Sequence, residues 1–190
     1  MKNRMVNEFG EDKLLHFTTR KAVFYVVDYT ERTYSTRSVE VLETYPTDID
    51  PLIVHNPKPL DITTTIFKPQ CFMDGEKELK QCECVMYLTA NTPTSWVVFI
   101  EIKDCKPRNA SVYHKEIKEK FIVNIDLFRN KEIIPQDKVV YAIASFPRKE
   151  KTNFHNHFIK ATEWKQFREK HKIMIKGTNE ITLKNNERII

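Results

Sequence analysis

The sequence predicts an α/β fold with a mixed central sheet flanked by helices, and three stretches carry that prediction. "WVVFIEIKD", Trp96 to Asp104, is apolar on both faces over most of its length, the pattern of an interior strand covered on both sides. "CECVMYLTA", Cys82 to Ala90, is a second β-like run, and the turn-prone "NTPTS" between them predicts a hairpin. After Pro107 a helical stripe of Tyr113, Ile117, Phe121, Ile125 and Phe128 leads into "DKVVYAIASF", Asp137 to Phe146. Strand, helix and strand in that order form a crossover, which sets the last strand parallel to the one that begins at Trp96.

The remaining elements follow from local pattern. "KAVFYVVDY", Lys21 to Tyr29, is aromatic and β-branched enough for a strand, although a buried helix shares that composition. "RSVEVLETY" alternates as a strand does, and "ITTTIF" is expected to be another. Between them "TDIDPLIVHNPKPLD", Thr47 to Asp61, is broken by three prolines and reads as a loop with short turns. The crossover helix is expected over 111–128, with Asn109 or Ser111 as its cap. The tail "ATEWKQFREKHKIMIKGTNEITLK" reads as a short helix followed by a hairpin turning at "KGTN". Residues 71–148 form the expected core of a single domain spanning 1–190, with 1–70 and 149–190 as peripheral elements.

Composition narrows the function classes. The chain has 190 residues, enough for one domain with a sizeable core. A net charge of +5 permits contact with nucleic acid without requiring it. Only three glycines occur, Gly10, Gly75 and Gly177, which excludes a P-loop, a dinucleotide-binding fingerprint and a G-x-S-x-G nucleophile elbow, since each needs clustered glycines. The amino-terminal stretch lacks the apolar segment of a signal peptide, and no run approaches the ~18 apolar residues of a membrane span. The expectation is a soluble, cytoplasmic protein with no membrane association.

Glu-x-Lys occurs five times, beginning at Glu11, Glu78, Glu101, Glu116 and Glu163, so the tripeptide means little by itself. Only the copy at Glu101 ends a long apolar strand, where ligands of open α/β sheets tend to bind. In a hairpin centred near Pro93, Glu83 falls opposite Lys103 and diagonal to Glu101. Two carboxylates and one ammonium would then share a face. Carboxylate oxygens suit Mg²⁺, and a nearby ammonium can stabilise developing charge or orient a water. An ordinary ion pair at a strand end is the competing explanation.

This arrangement resembles the PD-(D/E)XK nuclease superfamily, whose restriction-endonuclease-like core has a hairpin, a crossover helix and a further strand. The resemblance covers roughly 71–148. It implies Glu83, in "QCECVMYL", as the first metal-binding acid, Glu101, in "FIEIKDC", as the second, and Lys103 as the catalytic lysine. It further implies Mg²⁺ or Mn²⁺ as cofactor and nucleic acid, DNA before RNA, as substrate. The chain departs from the family pattern in lacking a Pro-Asp dipeptide and in carrying glutamate where aspartate is usual. Asp74, in "CFMDGEKE", is the reserve first ligand. Members that bind nucleic acid or a protein partner without cutting supply the alternative reading.

Lys118 on the crossover helix and Arg148, Lys149 and Lys151 in "FPRKEKTNFHNH" are candidate phosphate contacts, against the plainer reading of snorkelling or solvated lysines. Cys71, Cys82, Cys84 and Cys105 contain a single Cys-x-Cys, a poor match to a zinc site, and are expected to be reduced and mostly buried. In a regular strand Cys82 and Cys84 point away from Glu83. His155 and His157 share a face only if extended. Trp164 and Phe167 read as a packing pair.

Overall fold

The computed structural model describes residues 1–30, 38–90, 92–149 and 154–190. The chain runs α1 (Lys2–Phe9), β1 (Leu14–Thr19), β2 (Val23–Asp28), β3 (Val39–Leu42), β4 (Leu52–His55), β5 (Ile62–Phe67), β6 (Met73–Asp74), β7 (Lys77–Glu78), β8 (Cys84–Leu88) and β9 (Val97–Ile102). It continues through α2 (Ala110–Asn130), β10 (Val140–Ser145), α3 (His155–Phe158), α4 (Ala161–His171), β11 (Ile173–Gly177) and β12 (Glu180–Thr182). Among the described residues no helix is long and apolar enough to cross a membrane.

Six strands make the central mixed sheet, in the order β1-β5-β8-β9-β10-β11. β8 runs antiparallel to both of its neighbours, β5 and β9, whereas β9, β10 and β11 are parallel. The crossover expected after Glu101 is therefore present, with α2 as its helix. The sheet also draws β1, β5 and β11 from outside 71–148.

Alternation along β9 sends Val97 and Phe99 to one hydrophobic cluster and Val98, Ile100 and Ile102 to another. The first cluster holds residues of all four helices, including Met5, Ile117, Phe121, Phe128, Phe158 and Phe167. Its centre is aromatic: Phe128 lies edge-on to Phe99 at 5.0 Å, and Phe72 packs on Phe67 at 4.7 Å. The second cluster contains Phe24, Val26, Leu52, Val54 and Ile181, which come from a four-stranded sheet ordered β12-β4-β2-β3. Helices thus cover one face of the central sheet and a second sheet covers the other, in place of the helices expected on both. An apolar strand face records only that it is covered, and a sheet satisfies it as well as a helix does.

Four further expectations are corrected. "LIVH" forms β4 inside the segment expected to be loop, because Pro51 and Pro57 flank the strand and neither interrupts its ladder. "KGTN" does not turn a hairpin. β11 pairs parallel with β10 and β12 pairs parallel with β4, so the chain passes from one sheet to the other at Thr178 and Asn179. The hairpin of β8 and β9 pairs Cys84 with Ile100, a register two residues removed from the one expected. A shift of two leaves every side chain on its face. The helix cap is also weaker than expected: Asn109 closes a short 3₁₀ turn ahead of α2 and makes no side-chain cap bond.

Asn179 fastens the two sheets. Its Oδ1 accepts from Ser145 Oγ at 2.9 Å and from the Phe146 amide at 2.8 Å, and its Nδ2 donates to the Phe146 carbonyl at 2.8 Å. Asn179→Leu strands these buried groups and is expected to lower the unfolding free energy by about 1–3 kcal/mol in a denaturant titration. An unchanged midpoint would show that the corner is held by other contacts.

Candidate functional site

The carboxyl ends of β9 and β10 and the amino end of β8 meet at one end of the central sheet. Cys84 opposes Ile100, the Glu83 amide donates to the Ile100 carbonyl at 3.1 Å, and the Lys103 amide donates to the Ser145 carbonyl at 2.9 Å. Glu83 immediately precedes β8 and is tied to Ile100, the neighbour of Glu101, where the expected register had opposed it to Lys103. The three residues read from the sequence arrive at the same end of the same sheet.

Glu101 is fully buried. Its Oε1 lies 2.7 Å from Lys120 Nζ and 3.4 Å from Lys103 Nζ, while its Oε2 is enclosed without a hydrogen-bond partner. Lys103 is on the same face of the strand two residues on. Lys120 comes from α2, three residues beyond Ile117 and one before Phe121, at the margin of the buried helix face. Lys120 also lies 3.8 Å from Glu116, one turn back on its own helix. Burial pushes the Glu101 carboxyl above its ordinary range, and the two ammonium groups oppose that shift.

Glu83 is partly exposed as a residue, yet its carboxyl is pushed up to about 8. Burial is the leading cause, followed by the negative charges of Glu101 and then Asp28, with Lys103 and Lys120 acting the other way. Asp28 ends β2 of the second sheet, and alternation with Phe24 and Val26 places it on the face toward the central sheet. Its Oδ1 accepts from the Thr30 amide at 2.9 Å and from the Thr30 hydroxyl.

The entry to β8 is bent. Asn124 of α2 is fully buried, its Oδ1 accepts from the Cys82 amide at 2.6 Å, and its Nδ2 donates to the Lys80 carbonyl at 2.6 Å. That clamp draws Cys82 out of regular alternation. Cys82 therefore packs in the helix-side cluster and Cys84 between the sheets, contrary to the expectation that both share a side. All four cysteines are buried, and burial raises Cys71, Cys82 and Cys84 above the usual thiol range, which disfavours their thiolates.

The other candidates lie apart from this cluster in their contacts. Asp74 is exposed in the small β6–β7 ribbon and is not among the charges acting on Glu83 or Glu101. Lys118 is held by Glu163 at 2.8 Å and sits over the Phe158 ring, so it is Lys120 that α2 sends to the acids. Arg148 follows β10 and lies 3.8 Å from buried Asp104, and Lys149 lies over the Phe154 ring. Lys151 falls outside the described residues. His155 and His157 stand on the short helix α3 and not on an extended segment. Trp164 and Phe167 pack in the helix-side core as expected.

Sequence pattern missed Lys120, Asn124 and Asp28. For the first two a signal exists: a lysine and an asparagine interrupt the inward stripe of α2 at helical spacing from Ile117 and Phe128. No pattern marks Asp28, which reaches the site only because the second sheet stacks beneath the first.

Among the described residues no group of three or more histidine, cysteine, aspartate or glutamate side chains is placed to hold a metal ion. Two carboxylates are nevertheless a donor set that Mg²⁺ accepts, because it keeps several waters in its shell. The enclosed Oε2 of Glu101 and the mutual repulsion of Glu83 and Glu101 both fit an added cation. Comparison with protein-family models, with curated proteins and with solved structures returns no match.

Because Glu83 titrates near 8 in the folded chain and near the ordinary carboxylate value when unfolded, the folded state binds more protons between those limits. Stability therefore falls as pH rises through that window and has lost the full contribution above it. Glu83→Gln removes the titration. Relative to the native chain it is expected to be stabilised at pH 9 by roughly 1–3 kcal/mol and to gain little at pH 4. Parallel pH profiles for the two proteins would place the Glu83 carboxyl in a solvated setting.

Proposed function

We propose that the protein is a metal-dependent nuclease that hydrolyses phosphodiester bonds of nucleic acid, with DNA as the favoured substrate and a restriction-endonuclease-like core. The observation that carries this reading is the convergence of Glu83, Glu101 and Lys103 at one end of a sheet whose strands β5, β8, β9, β10 and β11 lie in sequence order with only β8 reversed. The crossover helix between β9 and β10 supports it further.

In this reading Glu83 and Glu101 hold Mg²⁺ or Mn²⁺, which when bound polarises a phosphate and lowers the pKa of a bound water. Glu101 offers Oε2 to the cation while Oε1 is retained by its lysines. Lys103, 3.4 Å from that oxygen and the longer of its two lysine contacts, would be the ammonium offered to a substrate phosphate and to the charge that develops during attack. Glu83 gives up its proton as it becomes a ligand, so cation binding strengthens as pH rises toward 8. Arg148 and Lys149, together with Lys151, would supply sequence-independent phosphate contacts from the loop after β10.

A second reading, a nuclease-like module that binds nucleic acid or a protein partner without cutting, is favoured by one observation. Lys103 and Lys120 both lie against Glu101 Oε1, so the chain itself supplies counter-charge to that carboxyl.

Cleavage of supercoiled plasmid and of single-stranded oligonucleotides separates the readings. Cutting is expected with Mg²⁺ or Mn²⁺, is abolished by chelator, and falls about a hundredfold or more in folded Lys103→Ala, through loss of one charge-stabilising donor. Activity that survives both treatments rules out the mechanism, and binding without cutting favours the second reading. The double substitution Arg148→Ala with Lys149→Ala is expected to flatten the slope of log affinity against log salt by about one to two units. An unchanged slope assigns both side chains to their contacts with Asp104 and Phe154.

A further inference from the structure

The two sheets do not close against each other along their whole length. Where β11 ends the central sheet and β12 ends the second one, a wedge of about 370 Å³ opens between them, away from Glu83 and Glu101. Its walls are Tyr141 and Ile143 of β10, Met174 of β11 and Ile181 of β12, with Trp164 of α4 at the margin. The β10–β11 register puts Tyr141 beside Met174 and Ile143 beside Lys176, so this lining is one continuous strip of the central sheet. A cavity of this size and apolar character lies in the range of small-molecule sites.

The basic side chains that line the wedge are His155, Lys176 and Arg188, and no aspartate or glutamate lines it. Lys176 is half-buried, and burial pulls its ammonium below the ordinary lysine range. Several cations drawn in from solvent have an acid nearby: Lys118 has Glu163, Lys120 has Glu101 and Glu116, and Arg129 has Asp126. Among the described residues Lys176 has no such ion pair, and neither has Arg188, which is exposed. A half-buried ammonium beside an apolar wall is costly unless a counter-charge joins it.

We propose that this wedge binds a small amphipathic monoanion, an alkyl or aryl carboxylate or sulfonate, with its apolar body between the sheets and its charge against Lys176 and Arg188. An uncharged apolar compound would leave Lys176 uncompensated. A hydrophilic anion such as inorganic phosphate would leave the walls of isoleucine, methionine and tryptophan unfilled. Neither Glu83 nor Glu101 lines the wedge, so its occupancy and the nuclease reading stand or fall separately.

The test uses the full chain and a matched pair of fluorescent probes. 8-Anilinonaphthalene-1-sulfonate carries the charge, and N-phenyl-1-naphthylamine has the same rings without it. Expected are one sulfonate probe per chain, displacement by decanoate but not by inorganic phosphate, and binding weakened about tenfold in Lys176→Met through loss of one charge-assisted contact. Arg188→Met, at an exposed position, repeats the test should the first variant fold poorly, while the neutral probe should bind both variants as it binds the native chain. Equal affinity for the two probes, or sulfonate binding unchanged in both variants, overturns the proposal and leaves Lys176 as a lysine reaching out along an apolar wall.

Discussion

A carboxylate with no access to solvent, Glu101, sets the terms for this fold. Removing such a group from water is costly unless opposite charge accompanies it, and here two ammonium groups do, one from the same strand and one from the crossover helix. Lys120 can reach Glu101 only if α2 lies across the helix-side face with Ile117 and Phe121 directed inward. The ion pair and the apolar stripe therefore require the same helix rotation, and polar and apolar contacts specify one packing.

The same helix also shapes the neighbouring strand. Asn124, one turn beyond Lys120, takes the backbone groups of Lys80 and Cys82 that leave the ladder at the start of β8. Buried amide and carbonyl groups need partners, and Asn124 supplies both a donor and an acceptor from one side chain. α2 thus fixes Glu101 through a charge and the approach to Glu83 through a clamp. Both acids are positioned by a helix that carries neither of them.

From the other face the second sheet adds Asp28, whose charge acts on Glu83 without belonging to the helix layer. Glu83 consequently sits between layers of unlike character, with cations on the helix side and an acid from below. Burial raises both carboxyls; at Glu101 the two lysines oppose that shift, whereas at Glu83 the charges of Glu101 and Asp28 add to it.

How much of this is legible in the chain divides along physical lines. Period-2 alternation in "WVVFIEIKD" determines that Glu101 and Lys103 share a face, and the 3.6-residue stripe from Ile117 to Phe128 determines a crossover helix and hence parallel β9 and β10. Such patterns are local, written in the spacing of neighbours. Register was legible only to within two residues, because a loop containing Pro93 does not fix its length of pairing and a shift of two preserves every face. What covers the far side of the central sheet was not legible, since an apolar face is the same whether a helix or a sheet lies on it. The passage of "KGTN" between sheets, the choice of Lys120 over Lys118 and the arrival of Asp28 were decided by tertiary structure alone. Each depends on contacts between residues far apart in sequence, where distance and charge matter and spacing along the chain carries no information.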